Sequence, residues 1–287
     1  MLVVVGTIPV PDFPLVTGQV TLNQDLINIG GYQFPVNRGT PALLGAALIS
    51  CEVLGQSAPY AYLVGDLGLG EGSRRLYKYL EAKLKKAHIQ TLVFHYLQPD
   101  VDWHNRVLFA VAEMSPRPIL IADAGFMYAA KMSGQASHYD LFIPDVGELA
   151  FLADGQAPHP FYTRGFILHQ EDRVPELIAR AYAHDNAARY LLVKGHQDYL
   201  ATAEGILATV DHPVEPALEA IGGTGDTLTG IAAALVSTGT AIDQAAIMAA
   251  QVNRFAGHHA HPTPATQVAE IIRHIPAALA QARGTKL

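Results

Sequence analysis

The sequence predicts an α/β fold of three layers, a mainly parallel sheet with helices on both faces. Short apolar runs rich in β-branched and aromatic residues recur along the chain and end at turn residues, as strands buried on both faces do. Helix-like stretches lie between them, and that alternation argues for parallel strands joined by helical crossovers. Half of the 287 residues are apolar and the mean hydropathy is +0.18, enough to cover both faces of a sheet.

In order, the predicted strands are 2–5, 61–64, 91–94, 119–122, 139–143 and 190–193. The predicted helices are 40–54, 72–87, 147–153, 173–188, 226–238, 241–261 and 264–283. For the last, Thr263 and Pro264 form an N-cap and N1 pair. Behind them Val268, Ile271, Ile272, Ile275, Ala278 and Leu279 share one face. Segments 98–105 (QPDVDWHN) and 157–165 (APHPFYTRG) mix proline, aromatic, histidine and charged residues without a period, and read as loops that border a ligand. With no repeat and no low-complexity tract, residues 1–287 are expected to form one domain.

The net charge is −7, and the one short basic run is Lys83-Leu84-Lys85-Lys86, so nucleic acid is not an expected partner. A single cysteine, Cys51, permits no internal disulfide and fits a reducing compartment. Residues 1–5 are too short for a signal core, and no stretch reaches the ~18 continuous apolar residues of a membrane helix. The expectation is a cytoplasmic protein without a membrane partner; assembly into a homo-oligomer is left open.

The chemistry concentrates at Gly222-Gly223-Thr224-Gly225-Asp226, which runs straight into the apolar stretch 231–236. A glycine-rich turn opening a helix presents free N–H groups and the positive end of the helix dipole, a place for an anion. Asp226 beside that anion suits a general base taking a proton from an attacking hydroxyl. The plainer alternative is an aspartate that merely caps the helix. Neither a Gly-x-Ser-x-Gly nor a Walker Gly-x4-Gly-Lys-Ser/Thr motif occurs, which disfavours those two enzyme classes.

Further candidates each carry two readings. Glu148 is placed to organise the waters of a magnesium ion, or is an acid in the first turn of a helix. Lys194, at a strand end, meets a nucleotide phosphate or extends to water. Asp123 hydrogen-bonds a substrate hydroxyl or forms an Asx turn. Asn37 and Arg38, before Gly39, clasp a phosphate or carboxylate or cap the helix near Thr40. His95 and His104, among Phe94, Tyr96 and Trp103, line a ring-binding wall or pack in the core. His258, His259 and His261 do not converge as zinc ligands, because adjacent helical residues point about 100° apart.

The string GGTGDTLTG at 222–230 resembles the anion-hole and catalytic-aspartate motif of the ribokinase-like superfamily. In detail it is most similar to the ADP- or ATP-dependent NAD(P)H-hydrate dehydratases. Other pieces follow in the same order: GTPALLGAAL at 39–48, GDLGLG at 65–70, IADAG at 121–125, IPDVGE at 143–148, LVKG at 192–195 and NRFAGH at 253–258. The resemblance implies a ribokinase-like fold in which ATP or ADP, Mg2+ and an acceptor hydroxyl meet at Asp226. It also implies that the Gly222–Gly225 turn and Lys194 hold the nucleotide phosphates, and that Gly195 and Asn253 lie on the nucleotide side. Asn37, Arg38, Gly39, Asp123 and Asp145 would face the substrate, NAD(P)H hydrate. Asp145 stands where the dehydratases have a histidine, and Asp66 interrupts their Gly-Pro-Gly-Leu-Gly. The rival readings are a small-molecule kinase for a sugar or vitamin precursor, and a nucleotide-binding protein without turnover. All active readings require the Asp226 carboxylate to reach an opening.

Overall fold

A computed structural model describes residues 1–160 and 173–284. Its centre is strand β1 (Leu2–Ile8), every residue of which is buried. β1 lies parallel to β6 (Tyr60–Gly65) on one side and to β7 (Thr91–His95) on the other, with Val4 opposite Ala61 and Val93. β8 (Ile119–Ala122), β9 (Leu141–Phe142) and β10 (Tyr190–Val193) extend the parallel sheet outward from β7. An antiparallel hairpin, β11 (Asp198–Thr202) and β12 (Gly205–Val210), finishes that edge, and β2 (Val16–Gln19) pairs antiparallel with β6 at the other. The order is therefore β12-β11-β10-β9-β8-β7-β1-β6-β2. A separate three-stranded sheet holds β3 (Thr21–Asn23), β4 (Leu26–Ile29) and β5 (Tyr32–Pro35).

Alternation along β1 divides the core. Val4 faces a layer containing α1 (Thr40–Val53), α7 (Thr224–Ser237), α8 (Ile242–His259), α9 (Val268–Ile272) and α10 (Ile275–Gly284). Val3 and Val5 face the layer of α2 (Glu71–Lys83), α3 (Val101–Ala112), α4 (Ala124–Met132), α5 (Val146–Ala153) and α6 (Val174–Ala183). These are the three expected layers. α1 and α7 cross closely: a Cβ on Gly230 would stand 2.3 Å from the Leu43 carbonyl oxygen.

Several expectations are corrected. Residues 101–105 are helix, because Asp100 caps α3 by accepting the Trp103 N–H at 3.1 Å while Val107, Leu108 and Val111 face the core. Of segment 157–165, positions 161–165 lie outside the described residues. The helix expected at 264–283 is two helices: a Gln267/Glu270 capping box starts α9, and α10 begins beyond Arg273 with Pro276 in its first turn. Thr263 is thus no N-cap; its N–H bonds the Thr266 hydroxyl at 3.0 Å. α6 ends at Ala183, before Asp185 takes a left-handed φ of 54°. No helix among the described residues is long and apolar enough to cross a membrane.

The chain leaves β1 toward β6 on one side and continues from β7 toward β8 on the other, so the connections diverge between β1 and β7. In open α/β sheets, ligands bind beyond the carboxyl ends of the strands at such a divergence.

Candidate functional site

Side chains from five elements meet at that end of the sheet. Asp226 sits in the first turn of α7, just past Gly223, whose φ of 108° is the left-handed conformation that glycine adopts without strain. One carboxylate oxygen accepts the Gly39 N–H, from the start of α1, at 2.6 Å. The other lies 3.0 Å from His95 Nε2, at the end of β7. The side chain is 11% exposed, so the carboxylate is recessed but not sealed, and positions 222–225 reach solvent. Burial alone raises the Asp226 pKa, but the His95 hydrogen bond first, and then Lys194 and the Gly39 N–H, outweigh it and hold the carboxyl below the usual range.

Beyond β8, Asp123 caps α4 through the Ala124 N–H at 2.8 Å. It also receives Lys194 Nζ at 2.9 and 3.0 Å and the Thr229 hydroxyl at 2.6 Å. Lys194 follows β10 and lies 4.0 Å from Glu148. Burial disfavours its charge, but Asp123, Glu148 and Asp226 together push its pKa upward. The lysine stem lies against the anion turn: a Cβ on Gly225 would be 3.2 Å from Lys194 Cδ. Asp145 and Glu148 form a capping box at the start of α5, with reciprocal bonds of 2.7 and 2.8 Å. Burial, and then the adjacent Asp145 charge, raise the Glu148 pKa to about 8. Among the described residues His95, Asp123 and Asp226 approach the spacing of a cation site. Lys194 already neutralises Asp123, however, and both Asp226 oxygens accept hydrogen bonds, so we assign the three to a hydrogen-bonded network.

The remaining candidates surround this cluster. The Arg38 stem lies over the turn, its Cδ 3.2 Å from where a Gly222 Cβ would stand; Asn37 beside it is exposed. Asn253, on α8, accepts the Thr227 hydroxyl at 2.7 Å and donates to the Thr224 carbonyl at 3.0 Å, bracing the turn. Gly195 donates to Asp198, which Arg254 holds at 2.7 Å while also bonding the Gly195 and His196 carbonyls. Asp66 takes the N–H groups of Gly68, Gly70 and Ser73 and so folds its own loop into the cap of α2.

The two histidines weighed as a ring wall separate. His104 is core, bonded to Tyr139 at 2.8 Å and Ser133 at 3.0 Å, and burial lowers its pKa to about 4. His95 bonds Asp226, a contact that the sequence reading missed. The available signal was a polar residue closing the apolar strand TLVFH. Tyr96 follows with φ 52°, its ring half exposed and edge-on to His95.

A protein-family profile described as NAD(P)H-hydrate dehydratase, of the carbohydrate-kinase type, matches residues 98–277. An uncharacterized protein of Methanocaldococcus jannaschii is 40% identical over 238 residues, 83% of this chain and 98% of that one. A ribokinase-like superfamily protein from Enterococcus faecalis superposes with a TM-score of 0.59 at 16% identity, covering 98% of this chain and 87% of that one. The pyridoxal kinase of Staphylococcus aureus in complex with ADP gives 0.56 at 11%, covering 89% and 87%. At these identities the two solved structures establish the fold, which is ribokinase-like.

Proposed function

This chain belongs to the carbohydrate-kinase family described as NAD(P)H-hydrate dehydratase, and on that premise we propose that it transfers a phosphoryl group from ATP or ADP to a substrate hydroxyl, with NAD(P)H hydrate as the acceptor. The observation that carries this reading is the Asp226 carboxylate, held ionised at the mouth of a glycine turn whose N–H groups have no helical partner. In this reading Gly222, Gly223, Thr224 and Gly225 cradle the transferred phosphate, and Lys194, held by Asp123 with its stem against the turn, lines that cradle. Asp226 takes the proton of the acceptor hydroxyl, whose oxygen bonds phosphorus as the nucleotide leaves. Gly195 and Asn253 border the nucleotide, while Asn37, Arg38, Gly39 and Asp145 border the acceptor; Asp123, buried and capping α4, acts through Lys194 instead of meeting substrate. The phosphorylated hydrate then eliminates phosphate, the C–O bond breaking as the neighbouring ring carbon gives up a proton, and regains the dihydronicotinamide ring.

Glu148, whose oxygens accept the Tyr128 hydroxyl and the Asp145 N–H, would organise a magnesium ion through its waters rather than by direct ligation. Burial, and then the charge of the exposed Asp145, raise the Glu148 pKa, and a hydrated dication nearby would hold Glu148 ionised. When bound, such an ion would shield the charge of the nucleotide phosphates. We take residues 1–287 as one domain, supported by a single nine-stranded sheet spanning positions 2–210.

The test is to mix the protein with hydrated NADH and ATP or ADP and follow dihydronicotinamide absorbance. Recovery with one nucleotide is expected, and none with either overturns the dehydratase outcome. A small-molecule kinase is the second reading, favoured by Asp145 where the dehydratases have a histidine. Net ADP formation with a stable phosphorylated product would select it.

A further inference from the structure

His95 contributes to the site without touching solvent. Its ring is wholly buried, with Nε2 3.0 Å from Asp226 Oδ1 and Nδ1 3.0 Å from the Thr40 hydroxyl, itself buried at the start of α1. An ionised carboxylate only accepts, so Nε2 carries the proton that fills the first contact. In the neutral ring Nδ1 then holds a lone pair, and the Thr40 O–H donates to it. Strand β1 leaves room for this line: a Cβ on Gly6 would stand 2.6 Å from Thr40 Oγ1 and 2.8 Å from the His95 carbonyl oxygen.

We propose that His95 is a positioning residue that fixes the Asp226 rotamer and keeps that group a carboxylate, with Thr40 holding the imidazole in the tautomer that does so. This rests on reading Asp226 as the base. Asp226 meets His95 from β7, the Gly39 N–H from α1 and the Lys194 charge from beyond β10. Asp123, from the end of β8, lies 3.8 Å from His95 Nε2 and binds Lys194; Glu148, from α5, faces Lys194; the Tyr96 ring stands edge-on to His95. Two carboxylates thus share one imidazole and one ammonium. Lys194 is committed to Asp123 at 2.9 Å, leaving the His95 N–H as the close side-chain donor for Asp226. The Asp226 pKa is held low in spite of burial, with the His95 hydrogen bond the leading cause that lowers it. Its carboxylate therefore survives to more acid pH than a bare buried aspartate would, and without His95 it would protonate earlier as pH falls.

The experiment compares wild type with His95→Leu, His95→Gln, which restores an N–H near Nε2, and Thr40→Val. The readouts are the pH profile of kcat/KM, the nucleotide KM, the 15N tautomer pattern of His95 and the 13C carboxyl titration of Asp226. His95→Leu should move the acid limb and the carboxyl titration up by about one pH unit or more. It should also lower kcat at least about tenfold with nucleotide KM within about twofold. Gln should recover most of both, and Thr40→Val should shift both partway. Wild-type His95 should show the Nε2–H tautomer. An Nδ1–H tautomer, or an acid limb and carboxyl titration unmoved in folded His95→Leu, overturns the proposal. If His95→Leu does not fold, the wild-type tautomer and Thr40→Val decide. Absence of turnover in wild type would sink the phosphoryl-transfer reading, while both NMR readouts still judge His95.

Discussion

Burying a carboxylate is costly unless donors replace its water, and Asp226 has an N–H on each oxygen, from Gly39 and from His95. An asparagine there can accept only one of them, yet His95 can switch tautomer, accept the new amide and donate to Thr40 instead. Asp226→Asn should therefore fold. Its turnover should drop at least about a hundredfold with nucleotide affinity mostly retained, as steady-state kinetics and equilibrium binding would register. Lys194 tests another balance. Its partner Asp123 has a side chain only 1% exposed, so Lys194→Met strands a buried charge. Urea denaturation should show a loss of about 3–5 kcal/mol. Adding Asp123→Asn to that variant should cost less than the sum of the single changes, since both act on one contact.

Helices α1 and α7 bring the Gly39 N–H and Asp226 together, and their approach depends on Gly230 lying against the Leu43 carbonyl. Gly230→Ala should wedge them apart, lowering stability by about 1–3 kcal/mol and reducing turnover as the Gly39 contact stretches; thermal melts and kinetics would read the two effects. At the far end of α5, Lys131 Nζ donates to the carbonyls of Phe151, Asp154 and Ala157 at 2.6, 2.6 and 3.2 Å. Burial lowers its pKa from 10.5 to about 8, with Asp154 opposing. A base depressed in the folded state contributes stability above its unfolded pKa and loses it as pH falls through the folded one. Relative to Lys131→Met, wild-type stability should accordingly climb between about pH 8 and 10.5, and parallel denaturation curves across that range would refute it.

The whole molecule gathers its chemistry at one edge because parallel strands all point their carboxyl ends the same way. From the end of β7 comes His95, from β8 Asp123, from β10 Lys194, while α1 and α7 supply Gly39 and Asp226. A ligand that binds only this assembled edge stabilises the entire fold. ATP with magnesium at a hundredfold excess over its Kd should add about 2.7 kcal/mol, seen as a raised Tm in wild type and Asp226→Asn alike. No rise in either protein would remove the nucleotide from the site.

Much of this architecture is legible in the sequence, since buried parallel strands and amphipathic helices leave local periodic marks. The runs around 2–5, 61–64 and 91–94 and the helix at 40–54 each correspond to an element. α3 escaped because its first turn, Val101-Asp102-Trp103-His104, looks irregular until Asp100 is recognised as its cap. The short strands β3, β4 and β5 carry too few residues to show a period. The glycine turn and its aspartate were visible as a string, because a turn running into a helix is made by neighbours in the chain. That Asp226 would meet His95, 131 positions away, was decided by strand order and by the packing of α7 on α1, and that Lys194 would commit itself to Asp123 rather than stand free was decided by strand order. Hydrogen bonds between distant residues leave no periodic trace along a chain, so only the packed sheet fixes which charges face one another.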